Sequence, residues 1–203
     1  TDHVVLTTDS NVSAYSLPDS DTDTDIQAGN VNAETFTALN RTLYEGSEIT
    51  LDKNYTYDNS VDSLFAGGIS IPNTITKIDG QGIVIIDASK LARIFNIHSD
   101  HKVTLTGITF TNANAAGNGG SINSEGTLEI INCNFIDNTA TGNGGAVYLG
   151  SSASDTITGC TFEGNIAGLN GGAVDWYAGS LNGKIADSIF NDNTAKRSGG
   201  ADL

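Results

Sequence analysis

The clearest pattern along the chain is an alternation of apolar and polar positions in short segments of its second half. Apolar residues occupy every second position in three runs: Ile131, Cys133 and Phe135; Val147 and Leu149; Val174 and Trp176. A period of two is typical of β-strands that bury one face. The intervening stretches lack the spacing of an amphipathic helix, so we expect short strands joined by turns in this half of the chain.

One segment is repeated in this region. Each copy begins with a phenylalanine and reaches a Gly-Gly pair nine positions later, as in "FIDNTATGNGGAVY", and the copies begin at Phe110, Phe135, Phe162 and Phe190. Successive copies are separated by 25, 27 and 28 residues, and all of this variation falls between a Gly-Gly pair and the next phenylalanine. The invariant part is therefore structural, and a loop of variable length follows it.

Repeats of this size bury their apolar face by stacking on the next repeat. The sequence therefore predicts an all-β fold, a right-handed parallel β-helix with one coil per repeat and like residues stacked at ~4.8 Å. The Gly-Gly pairs are expected to turn a corner, after which Val147 and Val174 point into the core. Asn138, Asn165 and Asn193 are expected to end a strand, where their side chains cap a turn or form a ladder between coils.

The combination of Phe-x-x-Asn with a following Gly-Gly-Ala-Val resembles the repeat of polymorphic outer membrane proteins. This repeat occurs in chlamydial surface autotransporters and in adhesin-like surface proteins of methanogenic archaea. The stretches "ITKIDGQGIVIIDASKLARIFNI" and "VTLTGITF" are similar to the coils that precede the repeats in the methanogen group. The pattern is incomplete at Ala113, Ser121 and Asp202, which replace its Asn, Ala and Val. The resemblance covers residues 45–203 and implies a β-helical, extracellular adhesin-like protein of the cell surface.

The first part of the chain has a different pattern. Residues 33–45 are predicted to form a short capping helix, with Asn32 as N-cap, Glu34 in the first turn, and Phe36, Leu39 and Leu43 on its apolar face. This helix is expected to cover the open end of the first coil. Residues 1–31 are interpreted as an acidic arm, residues 47–100 as irregular lead-in coils and residues 101–203 as the repeats. The last coil is expected to continue in a longer protein.

Charge excludes two classes of partner. The chain has 24 acidic and 9 basic residues, which gives a formal net charge of −15. Such a charge repels nucleic acids and anionic lipids, so we expect neither as a partner. No run of apolar residues is long enough to cross a membrane, and the sequence shows neither a signal peptide nor an anchor. We expect a monomeric protein that contacts a protein or glycan of another cell.

Two sets of surface residues suggest ligands or modification. Asp19, Asp21, Asp23 and Asp25 alternate like the oxygen ligands of a Ca²⁺ loop, although the Gly and Glu that complete an EF-hand loop are missing. A solvated acidic linker explains them equally simply, so we expect no cofactor, with Ca²⁺ as the alternative. Asn11, Asn40 and Asn54 each begin an N-glycosylation sequon.

The stacking of coils brings two further sets of residues together. Cys133 and Cys160 share one column, which places their Cα atoms within reach of a disulfide, but the column also accepts Ile108 and Ser188, so two buried thiols fit equally well.

If Val147 and Val174 point inward, an outward strip follows, while Trp176 points into the core. The strip consists of Asn123, Tyr148, Asp175 and Tyr177. Aromatic rings and carboxylates on a flat face suit carbohydrate binding.

Enzymatic activity is the main alternative to adhesion. A β-helical polysaccharide lyase needs a basic residue that abstracts a proton, and a glycoside hydrolase needs two facing carboxylates. Arg93, in a predicted strand, is the candidate base, but it has no second basic residue in its column, and Lys196 and Arg197 fall in a turn. We therefore expect a non-enzymatic protein, either an adhesin-like binder or a structural spacer.

Overall fold

Parallel strand pairing between successive coils organises the whole molecule. The computed structural model describes residues 33–150, 154–177 and 183–199. Its strands form a ten-stranded, a five-stranded and a four-stranded sheet, and the strand pairs are parallel in all three. The result is a β-solenoid of about five turns. The prediction of a parallel β-helix is therefore confirmed.

The secondary structure is a succession of short strands after one short helix. In chain order the elements are α1 (Phe36–Thr42), β1 (Glu48–Thr50), β2 (Tyr55–Thr56), a 3-10 helix (Ser63–Phe65), β3 (Ile69–Ser70), β4 (Lys77–Asp87), β5 (Phe95–Ile97), β6 (Lys102–Thr111), β7 (Asn114–Ala115), β8 (Ile122–Ser124), β9 (Thr127–Ile131), β10 (Asn134–Ile136), β11 (Thr139–Ala140), β12 (Val147–Leu149), β13 (Thr156–Thr158), β14 (Thr161–Glu163), β15 (Ile166–Ala167), β16 (Val174–Trp176), β17 (Lys184–Ala186), β18 (Ile189–Asn191) and β19 (Thr194–Ala195). All of them belong to the compact unit Asn32–Leu203. The predicted acidic arm, residues 1–31, lies outside the described residues.

A single coil shows how the sequence sets the path. Strands β9 and β10 lie in the ten-stranded sheet, β11 in the four-stranded sheet and β12 in the five-stranded sheet. The chain bends between them at Asn132 (φ 51°), Asp137 (φ 55°) and Gly144 (φ 66°). Asn, Asp and Gly adopt this left-handed conformation more readily than other residues. All three bends recur in the next coil, at Gly159, Gly164 and Gly171.

The interior is filled by stacked copies of the same side chains. Phe135 and Phe162 are fully buried, and their rings stack at 4.8 Å with an angle of 3°. Phe110 and Phe190 extend this stack on either side, at 4.9 and 4.8 Å. Burial of rings of this size is the largest apolar contribution that each repeat makes. The phenylalanine column therefore joins neighbouring repeats into one core.

A ladder of buried amides lies beside the phenylalanine stack. Asn138 and Asn165 have no exposed surface. The Asn138 Nδ2 donates to Asn165 Oδ1 at 2.9 Å, and the Asn165 Nδ2 donates to Asn193 Oδ1 at 2.8 Å. Each Nδ2 also donates to the carbonyl of a phenylalanine one coil back, Phe110 or Phe135. The predicted asparagine ladder is therefore confirmed.

A second ladder, which the sequence analysis did not predict, lines the Gly-Gly corner. Asn118 Oδ1 accepts from the Asn143 N–H at 2.9 Å, and Asn143 Oδ1 accepts from Asn170 Nδ2 at 3.1 Å. The corner leaves no room for side chains, since a Cβ on Gly145 would collide with the carbonyl oxygen of Gly172. Close packing of backbone from adjacent coils thus explains the second glycine of each pair.

The helix starts later than the sequence suggested. Helix α1 begins at Phe36 and its N-cap is Thr35, whose hydroxyl accepts from Ala38 N–H at 3.2 Å. Glu34 is not in the first turn but forms a parallel bridge with Tyr55. The proposed N-cap Asn32 lies outside the described residues. The predicted apolar face is present, because Phe36 and its two partners on the helix are fully buried in the common core.

A buried aspartate anchors this helix to the first coil. Asp62 is fully buried, and its carboxylate accepts from the N–H groups of Phe36 at 3.0 Å and Thr37 at 2.8 Å. It also accepts from the Asp58 N–H at 2.9 Å. The first N–H groups of a helix have no partner within the helix, so a carboxylate in this position stabilises the helix start.

The amide ladder generates a stability prediction. The variant Asn165→Ala removes four hydrogen bonds and leaves buried donors of Asn138 without an acceptor. We expect the free energy of unfolding to fall by about 3 kcal/mol or more, measured by guanidinium chloride unfolding. The control Asn134→Ala, on an exposed face, should cost less than about 1 kcal/mol. Equal losses in the two variants would contradict a stabilising role for the ladder.

Candidate functional site

Three of the four residues predicted for the outward strip fall in one register column. In the five-stranded sheet Asn123 pairs with Tyr148, and Tyr148 pairs with Asp175. The column continues backward to Asn96. Tyr177 follows directly after β16, where its N–H donates to the Leu149 carbonyl at 3.1 Å. The structure therefore brings the predicted strip residues together on one face of the solenoid.

The two tyrosines of the strip differ in exposure. Tyr177 is 74% exposed, whereas Tyr148 is only 8% exposed. Their ring centroids are 6.5 Å apart and the rings are tilted by 34°. Tyr148 lies in the predicted outward column, but it is covered by its column neighbours and by Tyr177. Tyr177 presents the ring face that a ligand can contact, and Tyr148 supports it.

Carboxylates flank the tyrosines. Glu125, which the sequence analysis did not select, is exposed and packs its carboxylate beside Gly150, where a Cβ would lie 2.5 Å from Oε2. Burial, together with the negative charges of Glu125 and Asp175, raises the pKa of Tyr148. The Tyr148 phenol is consequently neutral at physiological pH. Glu125 was detectable in principle, because the strand register places it in the same column as Tyr177.

The amide of Asn123 differs from that of its neighbour in the column. The Asn96 amide donates to the Gly67 carbonyl at 2.9 Å and accepts from Arg93 at 3.2 Å. By contrast, the half-buried Asn123 side chain makes no hydrogen bond to any residue that the structure describes. An amide with both a donor and an acceptor available is suited to a polar ligand.

The strip therefore combines an exposed ring, two carboxylates and an uncommitted amide. This combination can bind a polyhydroxylated ligand, since a ring covers apolar C–H faces while carboxylates and amides hydrogen-bond to hydroxyls. Beneath it, Trp176 packs against the core as expected but is only half-buried. Its indole N–H is buried and has no partner among the described residues.

Some of the other predicted ligand and modification sites lie outside the described residues, and two lie within them. Asp19, Asp21, Asp23 and Asp25, and the sequon at Asn11, lie outside the described residues. Within the described part of the chain, no cluster of three metal-ligating side chains occurs. Asn40 is half-buried on α1, and Asn54 is half-buried with its Oδ1 accepting from the Ile85 N–H at 2.8 Å.

The cysteines occupy the predicted column without forming a disulfide. Cys133 and Cys160 are buried free thiols in adjacent coils. Each thiol donates to the carbonyl two residues earlier, Ile131 or Thr158, at 3.4 Å. Both cysteines are therefore present as thiols in this structure, and the disulfide between them stays a prediction. Burial raises the pKa of Cys133 to about 12 and also raises that of Cys160.

The candidate catalytic base, Arg93, uses its guanidinium for hydrogen bonds between coils. Arg93 does not lie in a strand, as predicted, but at the corner that precedes β5. Its guanidinium donates to the Gly119 carbonyl at 2.9 Å and to the Asn118 carbonyl at 2.8 Å. Arg93 thus links its own coil to the Gly-Gly corner of the next one.

Comparison with known proteins shows a similarity over a short segment of the chain. Residues 132–150 match the Chlamydia polymorphic membrane protein repeat. These residues include β10, β11 and β12, one Gly-Gly corner and Tyr148 of the strip. Neither the curated proteins nor the solved structures contain a match to the chain. None of the described residues forms a helix with the length and apolar character needed to cross a membrane. The chain is therefore a parallel β-solenoid in which one segment is similar to the polymorphic membrane protein repeat.

The thiols generate a reactivity prediction. Because both are buried and have raised pKa values, they contain little of the reactive thiolate at pH 8. We expect Ellman's reagent to label less than about a tenth of the thiols in the folded protein within an hour. After unfolding in guanidinium chloride both cysteines should react. Absence of thiols in the unfolded protein would reveal a disulfide, and rapid labelling of the folded protein would contradict their burial.

Tyr148 generates a pH prediction. A raised pKa means that the folded state holds the phenolic proton more tightly than the unfolded chain does. This contribution to stability is complete below about pH 10 and is lost as pH rises toward the folded-state pKa. The free energy of unfolding should therefore fall more steeply above about pH 9 in the wild type than in Tyr148→Phe. Parallel pH profiles of the two proteins would contradict this assignment.

Proposed function

We propose that this protein is an adhesin-like component of a cell surface, which uses the outward strip to bind glycans of another cell. The observation that carries the proposal is the exposed ring of Tyr177 next to Tyr148, whose phenol lies near the carboxylates of Asp175 and Glu125. The match to the polymorphic membrane protein repeat supports a surface location. The similarity of the lead-in coils to methanogen proteins favours an archaeal source, and the proposal includes an extracellular, monomeric molecule without a catalytic cofactor.

The charge of the strip defines the class of glycan. Glu125 and Asp175 surround the Tyr148 phenol, and the whole chain carries a formal charge of −15. An acidic sugar at this position would be repelled, whereas hydroxyl groups of a neutral sugar can donate to both carboxylates. The proposed ligand of the strip is therefore a neutral hexose unit of a surface glycan, with its C–H face on Tyr177.

The geometry of the solenoid supports binding to an extended ligand. Column neighbours such as Asn123 and Tyr148 belong to adjacent coils, which are spaced at about 4.8 Å. The strip therefore runs along the solenoid axis, and a linear glycan can contact several coils. A rigid solenoid also holds these residues in place without a ligand, which lowers the entropic cost of binding.

A glycan array and a whole-cell binding assay test the proposal. Tyr177→Ala should weaken binding at least about tenfold, which corresponds to ~1.4 kcal/mol. The matched control is Tyr44→Ala, because Tyr44 is 71% exposed but lies far from the strip in sequence, directly after α1. Equal binding by the two variants would remove the strip as the adhesive site.

The alternatives predict other outcomes of the same experiment. A purely structural spacer would be folded but would bind no glycan or cell in either form. A polysaccharide lyase or glycoside hydrolase would shorten the arrayed glycans, which mass spectrometry of the eluted sugars would detect. Asp175→Asn and EDTA controls separate direct hydrogen bonding to hydroxyls from binding through a bridging cation, because only the latter depends on free Ca²⁺.

A further inference from the structure

A cavity of about 510 Å³ opens where the lead-in coils meet the repeats. It is lined by small or apolar residues, including Gly67, Leu91, Ala115 and Ala116, with Arg93, Asn114 and Thr141 as polar members. Its volume is in the range of small-molecule sites. This cavity, called the Arg93 cavity below, lies on the other side of the Gly-Gly corner from the strip, because β7 and β11 belong to the four-stranded sheet.

The hydrogen bonds of Arg93 leave one donor available. Nε donates to Gly119, Nη1 donates to Gly67 and to Asn96 Oδ1, and Nη2 donates to Asn118. These four bonds use four of the five N–H groups of a guanidinium. The remaining N–H is on Nη2, and no described residue accepts from it.

All of these acceptors are neutral, so the charge of Arg93 is not compensated. The ion pairs formed among the described residues are Lys53 with Glu34 and Lys77 with Asp79. The described residues that line the Arg93 cavity include no carboxylate. A second cavity of similar volume, next to α1, is different because Glu34, Glu45 and Asp52 line it. The Arg93 cavity is therefore an exception in a strongly acidic protein.

A second donor faces the same cavity. The hydroxyl oxygen of Thr141 accepts from the Gly117 N–H at 2.8 Å, and its own proton has no acceptor among the described residues. Thr141 is exposed, and so is the rim residue Leu91, which is 56% exposed. The third polar member, Asn114, donates its amide to the Lys90 carbonyl at 3.1 Å. The cavity thus combines one guanidinium N–H and one hydroxyl as available donors, one amide and an apolar rim.

We propose that the Arg93 cavity binds a carboxylate-bearing sugar, a uronic acid unit of an acidic glycan. One carboxylate oxygen accepts from Arg93 Nη2 and the other from the Thr141 hydroxyl, while the sugar ring packs against Leu91. Two donors match the two oxygens of a monoanion. A phosphate dianion carries more charge and would be repelled more strongly by the net charge of −15. This site goes beyond the proposed function, because the strip favours neutral sugars.

The test uses a charge introduced at the cavity wall. Arg93 joins several coils, so its replacement would also disturb the fold. Ala116 is exposed and lines the cavity, so Ala116→Glu places a carboxylate beside the guanidinium with little structural cost. Ala116→Gln has nearly the same shape without the charge and is the matched control. Unfolding curves of both variants should coincide with that of the wild type.

The probes are glucuronate, methyl glucoside, acetate and inorganic phosphate, titrated calorimetrically at low and high salt. We expect glucuronate to bind the wild type and Ala116→Gln with dissociation constants within about twofold. Ala116→Glu should bind glucuronate at least about tenfold more weakly, and added salt should weaken glucuronate binding by the wild type. Methyl glucoside should not compete with glucuronate, and acetate should bind more weakly than glucuronate because it lacks the ring.

Four results would overturn the proposal. The first is that the wild type does not bind glucuronate, and the second is that Ala116→Glu and Ala116→Gln bind it equally well. The third is that methyl glucoside competes with glucuronate, and the fourth is that phosphate binds more tightly than glucuronate. Tyr177→Ala should retain glucuronate binding, because it changes the strip and not the cavity. Loss of neutral-glycan binding in that variant, with glucuronate binding retained, would show that the two sites are separate. The proposal for one site can then fail without affecting the proposal for the other.

Discussion

Identical side chains stacked in register between coils are the constraint on which the rest of the structure depends. A buried amide is costly unless its donors and acceptors are satisfied, and in the ladder of Asn138, Asn165 and Asn193 each coil supplies the partner of the next. A shift of one residue would break these bonds and expose the stacked phenylalanines. The ladder therefore fixes register, and the phenylalanine stack supplies the apolar burial that holds it.

This registry also determines where functional residues can lie. Outward positions at the same point of successive coils form columns, so residues far apart in sequence, such as Asn123 and Asp175, lie on one continuous face. Core packing constrains the exposed positions of these columns less than it constrains the inward ones. Both candidate sites therefore include residues that differ from coil to coil. They lie on either side of a corner whose glycines and asparagines are the same in successive coils.

The sequence predicted the parts of the structure that repeat. The strand alternation, the inward valines and the column of Asn138 follow from periodicity, because each coil repeats the same packing problem. Features present once were not predictable in this way. Asp62 contacts α1 across 26 residues of sequence. The Arg93 side chain has no equivalent in the next coil, where the strand register places Gly120 at its position. The burial of Tyr148 depends on the neighbouring ring, which alternation alone does not reveal.

The Gly-Gly corners have a consequence for chemical ageing. Asparagine followed by glycine is the sequence most prone to deamidation, because the glycine nitrogen attacks the side-chain carbonyl to form a succinimide. Asn118 and Asn143 both precede glycine, yet the N–H groups of Gly119 and Gly144 donate to carbonyls of the next coil at 2.8 and 2.9 Å. Held in this way, the nitrogen cannot reach the amide. The architecture thus protects two asparagines, a thermolabile residue type, from this reaction.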